Sequence, residues 1–95
     1  MTDRMNTENL ENVAGGNGAP GQNLHVAQPH VESGYLAVRS NPSWDDRNEI
    51  GRIYPGNRFY VDLNQVAYGS GYTYYLANYN GLRGWVNASF LTLLD

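Results

Sequence analysis

Apolar and polar positions alternate in short bursts along the last two-thirds of the chain. In Tyr35-Leu36-Ala37-Val38-Arg39, Leu36 and Val38 fall on one face and Tyr35, Ala37 and Arg39 on the other, the period of two expected of a half-buried strand. Ser40-Asn41-Pro42-Ser43 ends it, since Pro42 cannot donate to a ladder and pushes Asn41 out of the helical region. Trp44-Asp45-Asp46-Arg47-Asn48-Glu49 then reads as a polar loop carrying one exposed tryptophan. Ile50-Gly51-Arg52-Ile53 predicts a short strand turned by Pro55-Gly56, and Arg58-Phe59-Tyr60-Val61 a further one with Phe59 and Val61 inward. Residues 62–71 are expected to form a longer connection, with Leu63 and Val66 as anchors.

The strongest local signal lies in Tyr79-Asn80-Gly81-Leu82-Arg83-Gly84-Trp85-Val86. Asn-Gly between two strand-like runs predicts a type I′ turn, which needs positive φ at both central residues. Residues 74–79 and 82–86 are therefore expected to pair antiparallel, with Gly84 marking a bulge or a close backbone approach beside Trp85. Asn87-Ala88-Ser89-Phe90-Leu91 reads as a turn leading into a closing strand. Short strands at intervals of roughly 8 to 12 residues predict an all-β domain, a small closed barrel over residues 34–95.

The front of the chain follows other rules. In residues 1–14, Leu10 and Val13 are three apart and would share one face of a short amphipathic helix, which alone in water is mostly unfolded. Ala14-Gly15-Gly16 stops it, and residues 17–33 read as a flexible linker, of which residues 24–33 are either solvated linker or a first edge strand with Pro29 at its margin. This arrangement resembles the double-glycine leader peptides of bacteriocin-type exported peptides. The resemblance implies a removable leader over residues 1–16, with Val13, Leu10 and Met5 at the apolar positions that the exporter grips. It also implies cleavage after the Gly15-Gly16 pair by an ABC exporter carrying a papain-like cysteine peptidase domain. The acidic residue common in that family eight positions before the cut is Asn9 here, with Glu8 and Glu11 on either side. The location so implied is secreted: extracellular, or associated with the cell wall once the leader is removed.

The globular part carries a second likeness. Leu36-Ala37-Val38-Arg39-Ser40-Asn41-Pro42-Ser43, then Ile50-Gly51-Arg52-Ile53-Tyr54-Pro55-Gly56, then Gly81-Leu82-Arg83-Gly84-Trp85-Val86 and Phe90-Leu91 resemble the motifs of bacterial SH3-like (SH3b) domains, in order and in spacing. Tyr74 stands where that family usually has Trp, and Pro55 where it has Lys. The resemblance implies a small five- to six-stranded SH3-like barrel preceded by a disordered or weakly helical leader. It further implies binding of cell-wall peptidoglycan through its stem and cross-bridge peptides.

Charge and composition narrow the function. The net charge of −3 comes from the front of the chain, and from Gly34 onward five arginines match five acids, without lysine. Such a domain lacks the basic footprint of a nucleic-acid binder. No apolar run is long enough to span a bilayer, so no membrane insertion is expected. There is no cysteine, and His25 and His30 lie five apart around Pro29 in the expected linker, so neither a metal site, a cofactor nor a triad is expected. Asp45 and Asp46 are adjacent, with Arg47 beside them favouring the ionised form, which makes them a poor acid–base pair. The aromatic residues, by contrast, are too many to bury in a barrel this small. A non-catalytic binding groove is expected from Trp44, Tyr54, Tyr75 and Trp85, with Tyr68 and Tyr72 able to move on Gly69 and Gly71. Tyr74, Trp85 and Phe90 are better suited to closing the small core than to lining the groove. Two readings follow: a wall-binding module taking peptidoglycan or a peptide ligand, or a secreted bacteriocin-like effector or signalling peptide directed at a protein.

Overall fold

The computed structural model describes residues 22–95; Met5, Leu10, Val13, Gly15 and Gly16 of the expected leader lie outside the described residues. Among the described residues there are seven strands: β1 (Leu24–Pro29), β2 (Leu36–Arg39), β3 (Glu49–Ile53), β4 (Phe59–Gly69), β5 (Tyr72–Tyr79), β6 (Leu82–Asn87) and β7 (Leu91–Leu93). They form one antiparallel sheet in the order β3-β2-β6-β5-β4-β1-β7, curled into a half-barrel. The described residues are all-β, with more strands than the five or six expected.

The added strand is β1. It lies within residues 17–33, expected as linker or, over residues 24–33, as a first edge strand, and is paired on both sides: with β4 from Leu24↔Asp62 to Ala27↔Phe59 and with β7 from Ala27↔Leu93 to Pro29↔Leu91. The sheet thus begins at Leu24 and not at Gly34. Pro29 is tolerated because it ends the strand, where a missing N–H costs little. Both partners of β1 are distant in sequence, so nothing local announces the pairing.

Residues 62–71 also depart from expectation. They continue β4, with a register shift between Asp62 and Val66, and end in a two-residue turn at Ser70 (φ 52°) and Gly71 (φ 82°). Asp62 is buried at the irregularity, where its carboxylate accepts the N–H groups of Asn64 at 2.9 Å and Asn23 at 3.0 Å. Donors displaced from the ladder are thereby satisfied by a side chain.

The β5–β6 hairpin is as expected. Asn80 (φ 53°) and Gly81 (φ 88°) make the turn, and the ladder runs without a shift from Tyr74↔Asn87 to Tyr79↔Leu82. Gly84 is therefore no bulge. It allows a close approach: a Cβ there would lie 2.6 Å from Val38 Cγ1 and 2.7 Å from the Arg39 carbonyl oxygen. The core gathers Leu36, Val38, Ile53, Phe59, Val61 and Val86 on one face of the sheet, with Ala27 and Ala77 filling between them.

Candidate functional site

Strand alternation sends Tyr35, Ala37 and Arg39 of β2 to the face opposite the core, and pairing brings Arg52 of β3 beside Ala37. Tyr74 of β5 and its partner Asn87 of β6 also point there, since Ala77 and Val86 on the same strands face the core. Both are buried even so, Tyr74 fully and Asn87 at 3 % exposure, as is Arg39 at 4 %. These polar groups line a second, smaller interior on the outer face.

Residues 40–48 build much of that interior. Asn48 holds them together: its amide Nδ2 donates to the Ser43 carbonyl at 3.1 Å and the Ser43 hydroxyl at 3.0 Å, and its N–H to the Asp45 carbonyl at 3.0 Å. Asp45 caps the 3-10 turn Asp46–Asn48, accepting the Arg47 N–H at 2.9 Å and its guanidinium at 3.0 and 3.1 Å. The Arg47 side chain, then its N–H, hold the Asp45 carboxyl below its ordinary pKa. At the far end, the Trp44 N–H donates to the Ser70 hydroxyl at 2.9 Å. Gly69 passes so close to the Pro42 carbonyl that a Cβ would collide with it.

The loop so held sets Trp44 over the sheet. Its ring centroid is 5.5 Å from Tyr72 and 5.9 Å from Phe90, which lies in the 3-10 turn Ala88–Phe90 before β7. Beneath it, Arg39 Cζ lies 4.7 Å from the ring centroid, a cation–π contact. Arg39 Nη1 donates to the Asp45 carbonyl at 2.8 Å and to Asn48 Oδ1 at 3.0 Å, both neutral acceptors. Among the described residues, no carboxylate forms an ion pair with it.

A second aromatic group flanks the first. Tyr35 lies 5.8 Å from Tyr54 between ring centroids and carries Arg52 Cζ 4.4 Å from its own. The Tyr35 hydroxyl donates to Glu49 at 2.8 and 3.1 Å, and this bond to a carboxylate raises its pKa. Arg52 completes the arrangement at 3.4 Å from Glu49.

Between the two groups lies a pocket of about 150 Å³. Tyr35, Trp44 and Phe90 form apolar walls, Asp46 and Glu49 bring negative charge, and Arg39 and Asn87 bring buried donors. The Asn87 Oδ1 is used, accepting the Ser89 N–H at 2.9 Å. Its Nδ2 is not. Burial raises the Tyr74 pKa, offset by Arg39 and the Asn87 amide, yet neither Tyr74 Oη nor Asn87 Nδ2 makes a hydrogen bond of good geometry.

No protein-family model, curated protein or solved structure compared with the chain matches it. What the site can do rests on its own geometry.

Of the six aromatic candidates, the structure brings Trp44 and Tyr72 together, at 49 % and 37 % exposure, and sets Tyr54 against Tyr35 in the second group; Trp44 lines the pocket, and Tyr54 and Tyr72 do not. Tyr68 stands 77 % exposed near the end of β4, outside the aromatic cluster. Tyr75 packs against the core with Tyr79, and Trp85 lies opposite Leu76 across the hairpin. Gly69 and Gly71, expected to let Tyr68 and Tyr72 move, also have structural places: Gly69 lets residues 40–48 approach, and Gly71 completes a tight turn. Arg39, Asn87, Ser70 and Phe90 escaped the sequence as site residues. Only the position of Arg39 on the polar face of its strand hinted at a role.

The chemistry on offer is stacking, hydrogen bonding and charge. Asp45 is committed to Arg47, and His25 is engaged well away, with Asp95 at 3.1 Å and Asn23 at 3.0 Å. No group of three or more His, Cys, Asp or Glu among the described residues is placed to hold a metal ion.

Proposed function

We propose that this chain is an exported, non-catalytic binding module, and that the pocket beside Trp44 takes a peptide segment of the kind carried by peptidoglycan stems. The observation behind this reading is the way Trp44 is held. Hydrogen bonds to Ser70, the stacked Arg39 and the Asn48 network secure a loop whose largest side chain stays half exposed beside a pocket. A rigid aromatic face with polar groups beneath it suits an amide-rich, weakly charged ligand, because stacking and directed hydrogen bonds supply contact at little entropic cost.

The test is co-sedimentation of the full chain with purified peptidoglycan. The expected result is pelleting that Trp44→Ala abolishes. Protein that stays in solution would send the search to a protein target, the effector reading. Export is tested separately by the intact mass of the protein in the culture medium, where cleavage after Gly16 leaves a species beginning at Asn17.

A further inference from the structure

Two buried groups in the pocket share one chemical need. Arg39 carries a full positive charge at 4 % exposure with only neutral acceptors on Nη1, and Asn87 has a donor Nδ2 without a partner at 3 % exposure. A buried charge is ordinarily paired with an opposite one, and a buried donor left unmade costs its full desolvation. Asn87 cannot turn its oxygen inward to relieve this, because Oδ1 already accepts the Ser89 N–H. Asp45, whose carbonyl meets Arg39, has its carboxylate engaged by Arg47. Arg39 and Asn87 thus both line the pocket and both bring donors, the Arg39 guanidinium beneath the Trp44 ring.

We propose that Arg39 and Asn87 form a carboxylate subsite that receives the free C-terminal carboxylate of a short peptide. This deepens the reading of the pocket as a peptide site and rests on it. An ionised oxygen pair satisfies both donors at once with charge-assisted bonds, which a carbonyl does less well. Asp46 adds selectivity, since it repels a ligand with further negative charge beside that terminus and accepts a neutral or amino-bearing one, while Glu49 is engaged by Tyr35 and Arg52. The module would therefore read peptide ends and discriminate against peptides whose terminus is amidated or cross-linked.

The experiment is calorimetric titration of the full chain with two probe pairs, each as free acid and as C-terminal carboxamide: a stem pentapeptide ending in D-Ala-D-Ala, and N-acetyl-Ala-Ala. The acid of each pair is expected to bind roughly tenfold or more tighter than the amide, the size of effect that one charge-assisted bond produces. Asn87→Asp keeps an oxygen for the Ser89 N–H, removes the Nδ2 donor and supplies a carboxylate where the ligand's would sit. It is expected to retain or raise the thermal midpoint while abolishing the acid preference. Equal binding of acid and amide overturns the subsite and leaves the peptide reading standing. Acid preference in both pairs without peptidoglycan pelleting keeps the subsite and removes the wall ligand. Binding of none of the four probes overturns the subsite outright.

Discussion

The Trp44 backbone N–H donates to the Ser70 hydroxyl at 2.9 Å, joining residues 40–48 to the β4–β5 turn across 26 positions of sequence. Ser70 holds φ 52°, a region that glycine enters more readily, so at this turn the hydroxyl is retained at some conformational cost. Ser70→Gly eases the turn and removes the tie. The expected outcome is overall stability within about 1 kcal/mol of the parent and faster amide exchange across residues 40–48. Unchanged exchange there would mean that the tie does not hold the loop.

Gly69→Ala acts on the same junction from the other side. Its Cβ would meet the backbone carbonyl of Pro42, which has no flexible side chain to give way, so the loop has to move. A destabilisation of about 1–3 kcal/mol in urea unfolding is expected, with a change in Trp44 fluorescence that reports its shift from Tyr72.

Arg39→Lys keeps the charge and loses the planar fork that reaches Asp45 and Asn48 at once. Loss of these buried charge-assisted bonds is expected to cost about 2–3 kcal/mol. An effect below about 0.5 kcal/mol, the range of ordinary surface changes, would place Arg39 outside the framework of the loop.

Core and site should respond differently to truncation. Val38 and Val86 have no exposed surface, so changing either to Ala is expected to cost about 1–3 kcal/mol. Trp44→Ala removes a half-exposed ring and its contacts with Tyr72 and Phe90, a loss of about 1 kcal/mol, and leaves the fold intact by circular dichroism. Unfolding of that variant would make Trp44 a structural residue.

Acid should loosen the loop before it unfolds the sheet. The folded Asp45 pKa lies below its ordinary value of 3.8, so its contribution is complete above that value and is lost as pH falls through the lower folded one. Trp fluorescence followed from about pH 6 to about pH 2 should show a step below about 3.8 in the parent that is absent from Asp45→Asn. A parent step centred above about pH 5 would belong to another group.

Local pattern determined a good part of this fold. The alternation of Leu36 and Val38, the inward Phe59 and Val61, and the Asn80-Gly81 turn each follow from contacts within a few residues, and each stands as expected. Gly84 was legible in part: a glycine within a strand marks a bulge or a close backbone approach, and the unshifted ladder leaves the approach to Val38 and Arg39. Tertiary structure alone decided three things. It chose strand over linker for Leu24–Pro29 and paired it on both sides, because both its partners lie far along the chain. It continued β4 through residues 62–69, because the buried Asp62 carboxylate satisfies displaced N–H groups that include one from Asn23. And it buried Arg39 on a face that alternation marks as polar, because a loop tied to Ser70 lays Trp44 across it. Period-two patterning tells which face of a strand a side chain takes; what later covers that face is a long-range contact that no local period encodes.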